Sequence, residues 1–244
     1  MNSLILRGSC RWSVCQISGC LCRVSAGLVF LGGTALRIFF SSGRFSEDLD
    51  FDSGEICRAD LEEIALRVID EFGREGLACS LSFGKGKAFS AKLKFTDILQ
   101  SRGLTNHRDE VLTLKLDAAP QHYNYRAEIR ILNRLDVVVP VPVTPCDLLL
   151  SQKLYTIINR RRVMGRDIYD ASYMFGLTRP DADYLSSKLN ASSSGEVGAL
   201  VLSRLEEIDI DYLAEDVSAF VADRNDLLRI RLFPQILRDW MDSD

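Results

Sequence analysis

The chain has 244 residues and a mass of 27.4 kDa, enough for one large domain or two small ones with real cores. Its 47% hydrophobic and 26% charged residues fit a soluble globular protein and exclude a disordered one. A formal net charge of −4 and a pI of about 5.4 exclude nucleic-acid binding by overall charge, so any such contact needs a local basic patch.

Residues 1–26 form a poorly patterned N-terminal segment. They hold Arg7, Arg11 and Arg23 but no continuous apolar run, so no targeting signal stands out. Four of the seven cysteines fall here: Cys10, Cys15, Cys20 and Cys22. A zinc ribbon would need two close pairs across a longer loop. The only two histidines, His107 and His122, lie far along the chain in loop-like stretches and are assigned no role. The thiols read as reduced, in a cytoplasmic protein. The run from Gly27 to Phe40 is apolar apart from Thr34 and Arg37. It is shorter than the ~20 residues that span a bilayer and contains a Gly-Gly turn signal, so no membrane association is expected.

Leu28 to Leu31 is a short apolar run ending at Gly32-Gly33, after which Thr34 to Phe40 predicts a helix that "SSGR" (Ser41 to Arg44) breaks. "DLDFD" (Asp48 to Asp52) has strand periodicity, with Leu49 and Phe51 on one side and Asp48, Asp50 and Asp52 on the other. Residues 60–73 predict an amphipathic helix, with Leu61, Ile64, Ala65, Val68, Ile69 and Phe72 on one stripe. Strand-like segments follow at Cys79–Phe83, Ala91–Phe95, Val111–Asp117, 126–132 and 136–143, the last marked by Pro140 and Pro142 as an edge or a linker. "TPCD" (Thr144 to Asp147) is a helix start, with Thr144 as cap and Pro145 at the first position. Beyond it the periodicity is helical: 145–160, 166–176, 180–190, 195–207, 210–222 and 224–241. Strands first and helices later predict an α+β fold: a mixed sheet with flanking helices over 27–143, then an all-α helical bundle over 144–244.

Asp48 and Asp50 share a strand face, close enough to share a divalent cation. Magnesium takes hard oxygen ligands, often one or two carboxylates together with substrate phosphates. A two-metal phosphoryl-transfer site needs such a pair and usually a third acid from a neighbouring strand. In "EVLTLKLDAAP", Leu112, Leu114 and Leu116 take the core face, which puts Asp117 on the other with Thr113 and Lys115. If the two strands are neighbours, the three acids meet. The alternative is a solvated strand face, with Asp117 an ordinary strand-end residue. Gly32 and Gly33 allow close backbone approach to a phosphate, Thr34 adds a hydroxyl, and a helix N-terminus follows.

"GGTALRIF…RFSEDLDFD" resembles the signature of the AbiEii/AbiGii-type nucleotidyltransferase toxins, a branch of the DNA polymerase β-like superfamily. Thr34 stands where many members have Ser, Asp48 and Asp50 match the paired metal ligands, and Arg44 and Ser46 match the "R-x-S-x-D-x-D" form. A second block, "DLLLSQKLYTIINRRRVMGRDIYDASYM" (Asp147 to Met174), resembles the family's helical lysine, Arg-rich turn and "R-D-x-x-D", with Lys153, Arg166, Asp167 and Asp170 at the matching positions. The resemblance covers residues 28–180 well and the helical tail only in kind. Family members carry helical material before the Gly-Gly turn, where this chain has 31 residues without clear helical periodicity.

The resemblance implies a Mg²⁺- or Mn²⁺-dependent nucleotidyltransferase with NTP as substrate and 27–143 as its catalytic domain. Asp48 and Asp50 are implied as metal ligands and catalytic acids, with Asp117 a third ligand. Gly32, Gly33, Thr34, Arg44 and Ser46 are implied at the nucleotide, Lys153 at the triphosphate, and Asp167 at the acceptor hydroxyl, with Asp170 structural. It further implies the toxin of a type IV toxin–antitoxin or phage-defence system, an acceptor at tRNA 3′ ends or another RNA, and a separately encoded antitoxin resembling the AbiEi repressor. For Lys153 the plain alternative is a surface lysine bordering the stripe of Leu149, Leu150, Leu154 and Ile157. For Asp167 and Asp170 it is a salt bridge with Arg166 or Arg162. Arg160, Arg161, Arg162 and Arg166 form the densest basic patch, either a solvated loop or a contact to triphosphate or RNA backbone. Tyr155 and Tyr169 are the only aromatics interleaved with it, while Phe39, Phe40, Phe45 and Phe51 read as core. Two rival functions stand beside this one: a nucleotidyltransferase that modifies a protein acceptor, and a non-catalytic nucleotide- or partner-binding module of the same fold.

Overall fold

The computed structural model describes residues 27–74, 76–86, 88–96, 111–134, 137–191 and 193–243. The N-terminal segment 1–26 with its four cysteines, and His107, lie outside the described residues. The chain divides into two compact units. Among the described residues, one holds 27–39 and those of Ser46–Thr144; the other holds Phe40–Phe45 and those from Pro145 to Ser243.

The first unit is built on a sheet of seven described strands: β1 (Val29–Leu31), β2 (Leu49–Asp52), β3 (Cys79–Phe83), β4 (Phe89–Phe95), β5 (Leu112–Ala119), β6 (Glu128–Arg134) and β7 (Val137–Val143), in the order β3-β4-β5-β2-β1-β7-β6. Two pairings are parallel, β2 with β5 and β1 with β7; the rest are antiparallel. Alternation drives one set of side chains into the core: Phe89, Ala91, Leu93 and Phe95 of β4, and Leu112, Leu114, Leu116 and Ala118 of β5. Helix α2 (Arg58–Arg74) lays its buried stripe of Leu61, Ala65, Val68 and Phe72 over that face, Phe72 meeting Phe95 edge-on at 5.2 Å between ring centroids. Helix α1 (Gly32–Phe39) follows β1 directly. Its last carbonyls accept from β6: Arg134 Nη2 donates to Ile38 at 3.1 Å and Arg130 Nη1 to Phe39 at 3.3 Å.

The mixed sheet followed by helices is the predicted fold class. Two local expectations change. Strand β7 is not an edge strand: it pairs with β6 along its length and with β1 at Val143. Because β1 reaches it only there, one side of β7 has no described ladder at Pro140 and Pro142, the setting in which a residue without an N–H is tolerated. Thr144 does not cap the next helix. It is fully buried, its hydroxyl lies 3.2 Å from the Tyr125 hydroxyl, and Pro145 takes the cap position.

The second unit contains helices α3 (Cys146–Asn159), α4 (Gly165–Phe175), α5 (Ala182–Leu189), α6 (Ser194–Glu206) and α7 (Ile210–Ser218), a 3₁₀ turn at Arg224–Leu227, and helices α8 (Leu228–Arg231) and α9 (Phe233–Met241). The predicted single helix over 224–241 is therefore divided, and Pro234 sits in the first turn of α9, where its missing N–H costs nothing. Asp181, Ser193 and Asp209 cap α5, α6 and α7 by accepting backbone N–H bonds. Helix α4 packs against α7 through Gly165, where a Cβ would overlap the Leu213 carbonyl. Phe175 anchors the C-terminal helix, its ring centroid 5.3 Å from that of Trp240. No helix among the described residues is long and apolar enough to cross a membrane.

Candidate active site

In the sheet unit the acids meet as their parity predicts. Strand β2 lies beside β5 in parallel register, with Leu49 opposite Leu116 and Asp50 opposite Asp117. The leucines are buried, so the two carboxylates rise together on the opposite face. Asp48 stands just ahead of β2, and its backbone carbonyl accepts from the Thr34 hydroxyl at 2.5 Å. Gly32 has φ +78, and a Cβ there would collide with the Asp50 carboxylate. Only glycine combines that backbone conformation with so close an approach. Gly33 and Thr34 are buried, so the Thr34 hydroxyl, expected at a phosphate, is engaged in fixing the acid strand. Ser46 is half-buried in the segment leading to Asp48.

Asp52, the last acid of "DLDFD", is not on a solvated face. It is buried, accepts from the Gly54 and Gln121 amides at 2.9 and 3.1 Å through Oδ1, and from the Tyr125 hydroxyl at 2.9 Å through Oδ2. A carboxylate so satisfied is a structural clamp. Burial, with the nearby Asp52 charge, pushes the Tyr125 hydroxyl well above its ordinary pKa.

The residue that sequence reasoning passed over is Lys115. It sits two positions before Asp117 on the same face, and its ammonium donates to Asp117 Oδ2. That hydrogen bond, and then the charges of Asp117, Asp48 and Asp50, hold its pKa above the ordinary lysine value against a smaller opposing effect of burial. As the side chains stand, no three acidic, His or Cys residues among the described ones enclose a metal position. The donors themselves are all carboxylate oxygens, the ligand type that suits a hard divalent ion such as Mg²⁺ or Mn²⁺.

In the helical unit the second motif block forms a chain of ion pairs. Arg44 grips Asp170 with both arms of its fork, Nε to Oδ1 at 2.5 Å and Nη2 to Oδ2 at 2.6 Å. Lys153 Nζ lies 3.0 Å from both Asp167 Oδ1 and Asp170 Oδ2, and Arg160 Nη1 donates to Asp167 Oδ2 at 2.8 Å. The partners are thus Lys153, Arg160 and Arg44, rather than Arg166 or Arg162 as in the plain alternative. Both carboxylates and Arg44 are buried. Burial pushes the Asp170 carboxyl up, but Arg44 and Lys153 outweigh it and hold it below the usual carboxylate range; Lys153 and Arg160 do the same for Asp167. Burial opposes the charge on Lys153 too, and Asp170 and Asp167 reverse it, so its pKa is raised. Arg44, expected at the nucleotide, is instead enclosed and bidentate, which makes it the tie between the Phe40–Phe45 segment and α4. In the basic patch, Arg161 and Arg162 are exposed, and Arg162 donates to the Tyr212 hydroxyl at 2.7 Å. Tyr169 is wholly buried, and burial, with the Asp226 charge, lifts its hydroxyl to about 12.

An in-register acid pair on parallel strands, a glycine turn before a helix and a trailing helical unit define the nucleotidyltransferase class. Comparison with known proteins agrees. The model of the family described as nucleotidyl transferase AbiEii toxin, type IV toxin–antitoxin system, matches residues 23–241. The chain belongs to this family. Among solved structures, JHP933 from Helicobacter pylori has a similar fold, at a TM-score of 0.55 and 17% identity over 95% of this chain and 92% of that one. A second H. pylori structure, solved as a candidate nucleotidyltransferase, matches at a TM-score of 0.54 and 16% identity over 95% of each chain. A search of curated proteins finds no match.

Proposed function

We propose that the chain transfers a nucleotide from an NTP to an acceptor hydroxyl with Mg²⁺ or Mn²⁺ bound by Asp48, Asp50 and Asp117. The in-register pairing of Asp50 with Asp117 beneath Gly32 carries the reading. When bound, the metal supplies charge neutralisation at the α-phosphate and lowers the pKa of an attacking hydroxyl. The chain's own residues do the rest. The backbone at Gly32 and Gly33 and the Ser46 hydroxyl cradle phosphate oxygens, and Thr34 keeps Asp48 in place. Lys153 offsets negative charge on the triphosphate. Asp167 is held below the ordinary carboxylate range and is a weak base, so its part is to aim Lys153 and orient the acceptor. The acceptor hydroxyl releases its proton to solvent as its oxygen bonds to the α-phosphorus, the bond to the bridging oxygen breaks, and pyrophosphate leaves with that electron pair.

The acceptor proposed is RNA, with tRNA 3′ ends as the first candidate. The face that carries Asp50 and Asp117 also carries exposed Lys92 and Lys94 on β4, a local basic patch in an acidic chain. Family membership supports a toxin role with a separately encoded repressor-like antitoxin as partner, in a toxin–antitoxin or phage-defence setting. The test is a transfer assay with each labelled NTP, Mg²⁺ and total tRNA, run beside Asp50→Ala. Label on RNA only with intact acids supports the reading. Label on protein instead moves the acceptor to a side chain, and NTP binding without label points to a non-catalytic module.

A further inference from the structure

We infer that Lys115 is a built-in counter-cation of the acid cluster, which a divalent metal displaces in order to reach Asp117. The inference rests on the proposal that these acids hold a metal. Period-two alternation puts Lys115 and Asp117 on one face of β5, and the ammonium bonds Asp117 Oδ2, the oxygen on the side chain that faces Asp50 across the parallel ladder. A divalent ion on that oxygen would stand against the ammonium, and the repulsion between the two cations makes them compete for it. The neighbouring strand adds a second reason for the lean toward the acids. Lys92 stands directly opposite Lys115 in the β4–β5 register, and like charges so placed repel. Lys115 relieves the repulsion by turning to Asp117.

The pair is also able to open. The Lys115 side chain is 40% exposed and that of Asp117 31%, so the ammonium can pass to solvent without leaving a buried charge behind. Without metal, Lys115 offsets part of the mutual repulsion of three carboxylates. With metal, that task passes to the ion.

The sign of the effect on metal affinity separates this role from simple support of Asp117. Mn²⁺ alone is titrated into the full chain, and free Mn²⁺ is read by electron paramagnetic resonance. Wild type is compared with Lys115→Met, Lys115→Gln, Lys115→Arg and Asp50→Ala, each checked for folding by circular dichroism. Both uncharged variants are expected to bind Mn²⁺ about three- to tenfold more tightly, since a half-exposed ion pair no longer competes. Lys115→Arg keeps the charge and is expected to match wild type. If Asp50→Ala abolishes binding while the uncharged Lys115 variants bind equally or more weakly, the counter-cation role is overturned and the metal site stands. If Asp50→Ala leaves Mn²⁺ binding intact, the metal assignment fails and this inference falls with it.

Discussion

Replacing Arg44 by Met tests the ion-pair chain at its most enclosed point. The network holds three cations, Arg44, Lys153 and Arg160, against two anions, Asp167 and Asp170. Arg44→Met removes both fork bonds to a carboxylate that is 0% exposed. Breaking a buried pair from one side costs about 3–5 kcal/mol, because the partner charge stays behind. Lys153 remains 3.0 Å from Asp170 Oδ2, so the expected loss lies near the lower end, about 3 kcal/mol. Lys153→Met is different. It leaves Arg44 with Asp170 and Arg160 with Asp167, each acid still paired, and the expected cost is about 1 kcal/mol. Urea unfolding at pH 7, followed by circular dichroism at helical wavelengths, gives both values. Adding Asp170→Asn to Arg44→Met should recover part of the loss, since the stranded charge disappears. Equal losses for Arg44→Met and Lys153→Met would refute the reasoning.

Gly32→Ala forces a side chain into a positive-φ position against Asp50; a stability loss of about 1–2 kcal/mol and loss of Mn²⁺ binding are expected, measured by urea unfolding and metal titration. Asp52→Asn weakens a clamp on two amides and Tyr125 and should lower stability by about 1–2 kcal/mol while leaving Mn²⁺ affinity unchanged, in contrast to Asp50→Asn. Lys92→Ser with Lys94→Ser should weaken tRNA binding in a fluorescence anisotropy titration and make the log–log salt slope shallower by about 1–2. Asp167 and Asp170 have folded-state pKa values below their unfolded ones, so their contribution is present above about pH 4 and lost as pH falls below it. Urea midpoints should hold from pH 7 to about 5 and drop at lower pH, and a midpoint that rises on acidification would contradict the assignment.

The acid pair was legible because one rule sets it. Alternation along "DLDFD" and "EVLTLKLDAAP" fixes which face each carboxylate takes, and only the adjacency of β2 and β5 had to come from the structure. The same rule misled at Asp52, since period two says which side a residue faces and not what covers that side. Tyr125 and Gln121, 73 and 69 positions away, turn a solvated acid into a buried clamp. The partner of Arg44 was hidden for a similar reason. Its position in "R-x-S-x-D-x-D" puts it close in sequence to Asp48 and Asp50, but its partner is Asp170, 126 residues on, and a pairing that distant leaves no local trace. Lys115 lay in plain view at an even spacing from Asp117 and was passed over because a lysine beside an acid usually means a surface pair.

The two motif blocks divide the chemistry by burial. In the sheet unit the acids and Lys115 are half-exposed, so their charges can exchange partners at small cost. In the helical unit Asp167 and Asp170 are enclosed and cannot lose a partner cheaply. Lys153 touches both acids, and its departure leaves Asp170 with the Arg44 fork and Asp167 with Arg160; at 16% exposure its side chain is also less enclosed than Arg44, the other group that pairs with Asp170. A surplus cation on a fixed frame can lend its charge to an incoming phosphate without stranding an anion. Arg44 cannot, since its fork is the main support of Asp170. The same logic orders the variants: loss of Lys153 should impair transfer far more than folding, and loss of Arg44 should impair both. A Lys153→Met protein that melts like wild type yet transfers normally would sink that division of labour.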